Sequence, residues 1–141
     1  MLQRQLIRLI LAILGLAFLI SCASATPPTD VTCTITSHGE GDKVGQYITL
    51  KGTASGITSK LSIYTFARAK IPAEPWWRSD KKAVILPGGE WTVDVVIGDE
   101  FTNPGTEFRV VVTVTSKEPP RQVGDLPLYV LSCASITLVR G

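Results

Sequence analysis

The sequence predicts an all-β domain of seven strands, packed as two antiparallel sheets, and three observations lead there. After residue 30 no long stretch carries apolar residues at helical spacing. Short runs rich in Val, Ile and Thr alternate instead with Gly, Pro, Asn and Asp. Most of these runs are apolar on one side only, as a sheet with one dry face and one wet face requires.

Val31 to Ser37 opens the series, with Val31, Cys33 and Ile35 on one face and threonines on the other. Gly39-Glu40-Gly41-Asp42 then turns the chain. Gln46 to Ser55 is the second run, with Ile48 and Leu50 as its inward pair. Leu61 to Arg68 is the third, and Lys82 to Leu86 a short fourth. Pro87-Gly88-Gly89-Glu90 forms a tight turn into the fifth run, where Trp91, Val93, Val95 and Ile97 alternate with Thr92, Asp94 and Val96. Glu107 to Ser116 is the clearest strand, with Phe108, Val110, Val112 and Val114 facing one way, and Ala134 to Arg140 closes the domain. Seven such strands bury their inner faces between two sheets. A closed barrel is the main alternative, because strand count does not separate the two. Residues 33–36 and 133–137 each place a cysteine near a strand start, as parallel neighbours in one sheet would need.

The N-terminus reads differently. Arg4 and Arg8 precede an unbroken apolar run from Leu9 to Ile20, and no acidic residue occurs before Asp30. A spanning helix needs about 20 apolar residues, so this run fits a secretory signal better than a membrane span. Its end, Leu19-Ile20-Ser21-Cys22, resembles the lipobox of bacterial prolipoproteins. That resemblance implies lipidation of Cys22, cleavage before it and a membrane-held N-terminus. An ordinary secretory signal cut after Ala23 or Ala25 is the alternative. The expected division is a signal peptide over 1–21, a lipidated Cys with a tether over 22–30, and the β-domain over 31–141. A tether of this length reaches about 25 Å when extended.

Arg4 and Arg8 lie in the signal, which leaves 12 of the 14 Lys and Arg against 12 Asp and Glu. The exported chain is thus close to neutral. It lacks the clustered basic face that nucleic acid calls for, and no nucleic-acid partner is expected. With Cys22 given to lipid, Cys33 and Cys133 form an even pair in an oxidising compartment, and a disulfide is expected. Two buried thiols are the alternative.

A second resemblance covers Val31 to Thr115. Gly41-Asp42-Lys43-Val44, the run Leu50 to Gly56, Trp76-Trp77, Gly89-Glu90-Trp91 and Val96-Ile97-Gly98 are similar, in that order, to a group of bacterial extracytoplasmic immunoglobulin-like modules. The resemblance implies an immunoglobulin-like sandwich and an extracytoplasmic setting, with no single activity. Where that group commonly has proline after the first strand, this chain has His38.

Catalytic chemistry has little to draw on. His38 is the only histidine, it sits at a turn, and no Gly-x-Ser-x-Gly motif occurs. No enzyme activity is expected. Both remaining cysteines look committed and no Cys-x-x-Cys exists, so neither a metal nor a cofactor is expected beyond the covalent lipid. Glu40 with Asp42, and Asp99 with Glu100 and Asn103, form two acidic loops. Neither shows an EF-hand pattern, and solvated turns are expected. Gly56 to Lys60 lacks the Gly-Lys step of a phosphate loop.

The segment Ile71 to Asp80 is the most informative. In an extended chain Trp76 and Trp77 point to opposite sides. One can cover the core while the other meets water. Trp76 or Trp77 with Arg78, Tyr64 and Arg68 has the composition of a binding face. The alternative is that a tryptophan covers a sheet edge and packs with Trp91. The reading that follows is a membrane-anchored, non-catalytic module of the cell envelope, binding a protein or glycan partner in an adhesive or accessory role. A carbohydrate-binding lipoprotein using Trp76 or Trp77 is the rival. A small envelope enzyme or protease inhibitor is a third reading with no supporting motif.

Overall fold

Ten strands and no helix make up the regular structure of residues 30–141, the part of the chain that the computed structural model describes. The signal segment, Cys22 and the tether up to residue 29 lie outside the described residues. The strands are β1 (Thr32–Ile35), β2 (Lys43–Val44), β3 (Tyr47–Ser55), β4 (Ser62–Ala69), β5 (Trp76–Arg78), β6 (Val84–Ile85), β7 (Glu90–Val96), β8 (Glu107–Thr115), β9 (Gln122–Val123) and β10 (Leu131–Arg140). They form a four-stranded sheet in the order β1-β3-β7-β6 and a six-stranded sheet in the order β2-β10-β8-β4-β5-β9. All neighbours are antiparallel except β2 and β10.

The expected alternation builds the main core of this sandwich. Leu50 from β3, Trp91, Val93 and Val95 from β7, and Phe108, Val110, Val112 and Val114 from β8 are buried between the sheets. Val31, Cys33 and Ile35 pack against them as the sequence predicts. Gly52 makes room for the largest of these side chains. A Cβ there would lie 1.9 Å from the Thr34 carbonyl oxygen and 2.4 Å from the Trp91 ring.

Three of the ten strands, β2, β5 and β9, go beyond the seven expected. Each has only two or three residues, too few for a period to show. The parallel neighbour of the last strand is also not the one expected. β1 pairs with β3, and it is β2, past the turn, that runs parallel to β10. The chain changes sheets at that turn. There Gly41 N–H donates to the Thr137 carbonyl at 2.8 Å, and Val139 N–H to the Asp42 carbonyl at 2.9 Å.

Cys33 and Cys133 form a disulfide between β1 and β10, and so between the two sheets, with their Cα atoms 5.4 Å apart. A register shift between Ser132 and Ala134 leaves Cys133 as an extra residue in β10. Such a bulge re-aims a side chain. It lets the consecutive Cys133 and Ala134 both pack against the core, which strict alternation forbids.

The outer face of the six-stranded sheet is covered, against the expectation of a wet outer side. Phe66 on β4 and Val111 on β8 are register partners pointing away from the main core. Together with Trp76, Val123 and Leu126 they make a second apolar layer. The long connection from β8 to β10, which carries β9, supplies the cover.

Candidate binding cleft

β5 decides the fate of the sequence-selected aromatics. It runs antiparallel to β4 with Phe66 opposite Arg78 and Ala67 opposite Trp77. Trp76 and Arg78 therefore share the outer face with Phe66, and Trp77 shares the inner side with Ala67. Trp76 is only 6% exposed, under the Arg68 guanidinium at 4.3 Å from the ring centroid. Arg78 is buried over the Tyr64 ring at 4.8 Å. Its Nη1 donates to Glu118 Oε1 at 2.6 Å and to the Pro119 carbonyl at 2.8 Å. Burial pushes the Tyr64 phenol above its ordinary value, Glu118 adds to the rise, and Arg78 opposes it.

Of the five residues grouped by sequence as one face, Tyr64, Arg68, Trp76 and Arg78 thus belong to the outer layer and pin the β8–β10 connection. Trp77 stands alone on the other side, 53% exposed. Trp76 does not pack with Trp91 either; the two sit in separate apolar clusters on opposite faces of the larger sheet.

Trp77 looks into a cleft of about 940 Å³ where the two sheets part. The path of residues 79–85 opens it. Ser79 N–H donates to the Thr65 carbonyl and Ala83 N–H to the Ile63 carbonyl, both at 2.8 Å, so this stretch follows β4. Only at Val84 does it cross to pair with β7, at Thr92 and Trp91. Above that level the smaller sheet ends at β7. Ala67, Ala69, Val95 and Phe108 line the cleft, and the small alanines leave its room.

Phe101 lines the same cleft and is 81% exposed. Gly98, with φ of 73°, follows the end of β7 and begins the loop that carries Phe101. Asp99 Oδ1 accepts from the Phe101 N–H and the Thr102 hydroxyl, both at 2.9 Å, which holds this loop in a tight turn. Ile71, Glu74, Asp80, Asn103, Arg121 and Gln122 are among the other residues that line it. Asp80 is ion-paired with Arg121. A second depression, of about 470 Å³, lies along the outer side of β7 and is lined by Tyr47, Val84, Val96 and the Asp80–Lys82 stretch among others.

Sequence reasoning missed Phe101, Ile71 and Val96. An aromatic residue set among Asp99, Glu100 and Asn103 was the available signal for Phe101. The same loop and Glu40-Gly41-Asp42 had drawn attention as acidic groups. In the structure Asp99 caps its own turn, Asp42 Oδ2 accepts from Gly39 N–H at 2.7 Å, and Glu40 Oε2 accepts from Thr137 N–H at 2.9 Å. Hydrogen bonding from the Thr137 side chain, and then from its backbone N–H, holds the Glu40 carboxyl below its ordinary value. His38 lies at an exposed turn where its Nδ1 meets the Ser37 hydroxyl at 2.8 Å. Comparison with protein-family models and with curated proteins finds no match to this chain.

Proposed function

We propose that this chain is an exported lipoprotein, held to a membrane through lipid on Cys22, whose immunoglobulin-like domain works by contact through the Trp77–Phe101 cleft. The signal-like N-terminus and the lipobox resemblance support the anchor. The strand order supports the immunoglobulin-like assignment. With β2, β5 and β9 set aside, the sheets hold the first, second, fifth and fourth of the remaining strands, and the seventh, sixth and third, which is the immunoglobulin arrangement. The disulfide here joins the first and last strands, unlike the pair inside antibody domains.

The observation that carries the binding role is the split between the tryptophans. Trp76 is used up in packing, whereas Trp77 is left half-exposed beside a second exposed ring, Phe101, at a cleft the sheets do not close. Large rings at the edge of a concave apolar site are what binding sites are made of. A protein or glycan of the cell envelope is the partner this reading implies, in an adhesive or accessory role with no catalytic step.

Glycan binding is the second reading. Asp99, Asn103 and Gln122 at the rim offer planar polar groups beside two flat rings. Chito- and cello-oligosaccharides test it: binding lost on Trp77→Ala, with the fold intact, supports it. Palmitate labelling that disappears in Cys22→Ala supports the anchor, and an unlabelled wild type removes it.

A further inference from the structure

The cleft and the outer depression share one border, the open edge of β7. Hydrogen bonds at both ends of β7 fix which way its backbone points. Ala54 N–H donates to the Gly89 carbonyl at 2.8 Å and Ile97 N–H to the Gln46 carbonyl at 2.7 Å. The odd-numbered residues of β7 therefore bond to β3, and the even-numbered ones face the other way. β6 takes up that side at Glu90 and Thr92 only. The N–H and C=O groups of Asp94 and Val96 point outward with no strand against them among the described residues.

We infer that this edge binds an extended peptide as an added strand of the smaller sheet. Its alternate side chains then enter the Trp77–Phe101 cleft and the Tyr47–Val84 depression. Strand addition draws affinity from main-chain hydrogen bonds and specificity from pockets at every second residue. Both requirements meet here. Of the eight exposed large apolar side chains among the described residues, six line the two depressions: Tyr47, Val84 and Val96 on the outer side, with Ile71, Trp77 and Phe101 at the cleft. An apolar residue on each side of an unpaired strand edge is the reverse of how edges are ordinarily protected.

Charge narrows the occupant. Arg121 is taken by Asp80, and Arg78 by Glu118. Glu74 and Asp99 are left as the cleft's uncompensated charges among the described residues, so a basic residue in the peptide is favoured. The edge also lies between the Asp80–Lys82 stretch and the Phe101 loop. A bare strand reaches it more readily than the β7 edge of a second copy, which carries the same flanking structure. A glycan in the cleft would leave the outer depression and the backbone groups unused.

This inference rests on the cleft being a binding site, and the experiment separates the two. The probe is a panel of fluorescent ten-residue peptides with apolar residues at every second position and a lysine at each end, offered to the full chain. The expected result is binding that slows amide exchange at Asp94 and Val96 at least tenfold. Val96→Pro, which removes one of the edge donors, is expected to weaken binding at least tenfold. Proline is tolerated where an edge N–H faces solvent. If that variant fails to fold, exchange in the wild-type chain carries the test. Binding without protection of these amides overturns the inference, as does protection that appears without peptide and grows with protein concentration, which assigns the edge to a second copy. Peptides that fail while chitohexaose binds and is lost on Trp77→Ala overturn strand addition and keep the cleft. Failure of both ligands overturns both.

Discussion

Trp76 and Trp77 are neighbours in the chain and opposite in fate. Trp76 is expected to cost about 3–5 kcal/mol when cut to Ala, the range for a large buried ring, whereas Trp77→Ala should cost less than about 1 kcal/mol, as surface changes do. Urea unfolding of the two variants checks this directly, and equal losses would remove the distinction between the packed ring and the exposed one. Gly52 gives a second contrast. A methyl group there must displace both the backbone of β1 and the ring of Trp91. Gly52→Ala is expected to destabilise by at least about 1–3 kcal/mol, as overpacking does, and a thermal melt reads the change. The opposite sides of the two tryptophans were legible from period two alone. Which one met water was not, because that depends on where the smaller sheet stops.

Six of the seven expected strands were legible because each presents one apolar side over several residues, and the fourth, of two residues, from its short apolar run before the Pro87 turn. β2, β5 and β9 were not, because two or three residues hold no period and their pairing comes from the strands already in place. The covered outer face was missed for a related reason. Phe66 and Val111 stand on the sides of their strands that a two-layer sandwich leaves wet, and only the β8–β10 connection explains their burial. The turn between β1 and β2 carries a pH-dependent bond. The Thr137 side chain and backbone N–H both favour Glu40 as a carboxylate, so its pKa is lower in the folded state than in the unfolded chain. Its stabilising contribution is expected in full above the ordinary glutamate range, and to fade as pH falls through the lowered value. Stability of wild type and Glu40→Gln should therefore differ most at neutral pH and converge in acid. The disulfide acts on a larger scale. Removing it by Cys33→Ala with Cys133→Ala is expected to cost about 2–5 kcal/mol, and a reducing agent should lower the wild-type melting temperature in parallel.

At the scale of the molecule, the sandwich has one worked face and one open seam. The β8–β10 connection seals the outer side of the larger sheet, while the sheets part beside β7. The class of fold and the disulfide pair were legible in the sequence. The cleft was not, because it arises from the late crossing of residues 79–85 between sheets, which no local pattern encodes. The Cys33–Cys133 bond, finally, sets how such a domain responds to tension. With the chain held at its N-terminus and pulled at its C-terminus, force passes from β1 straight into β10 through a covalent link. The strands between those cysteines carry none of it. Single-molecule stretching should thus release only the residues outside the 33–133 loop, a sequence separation of 100. Reduction should add roughly 330–360 Å of contour length. A partner gripping the β7 edge would load that loop from within. The same domain would then be inextensible along its chain ends and deformable only at the seam beside β7.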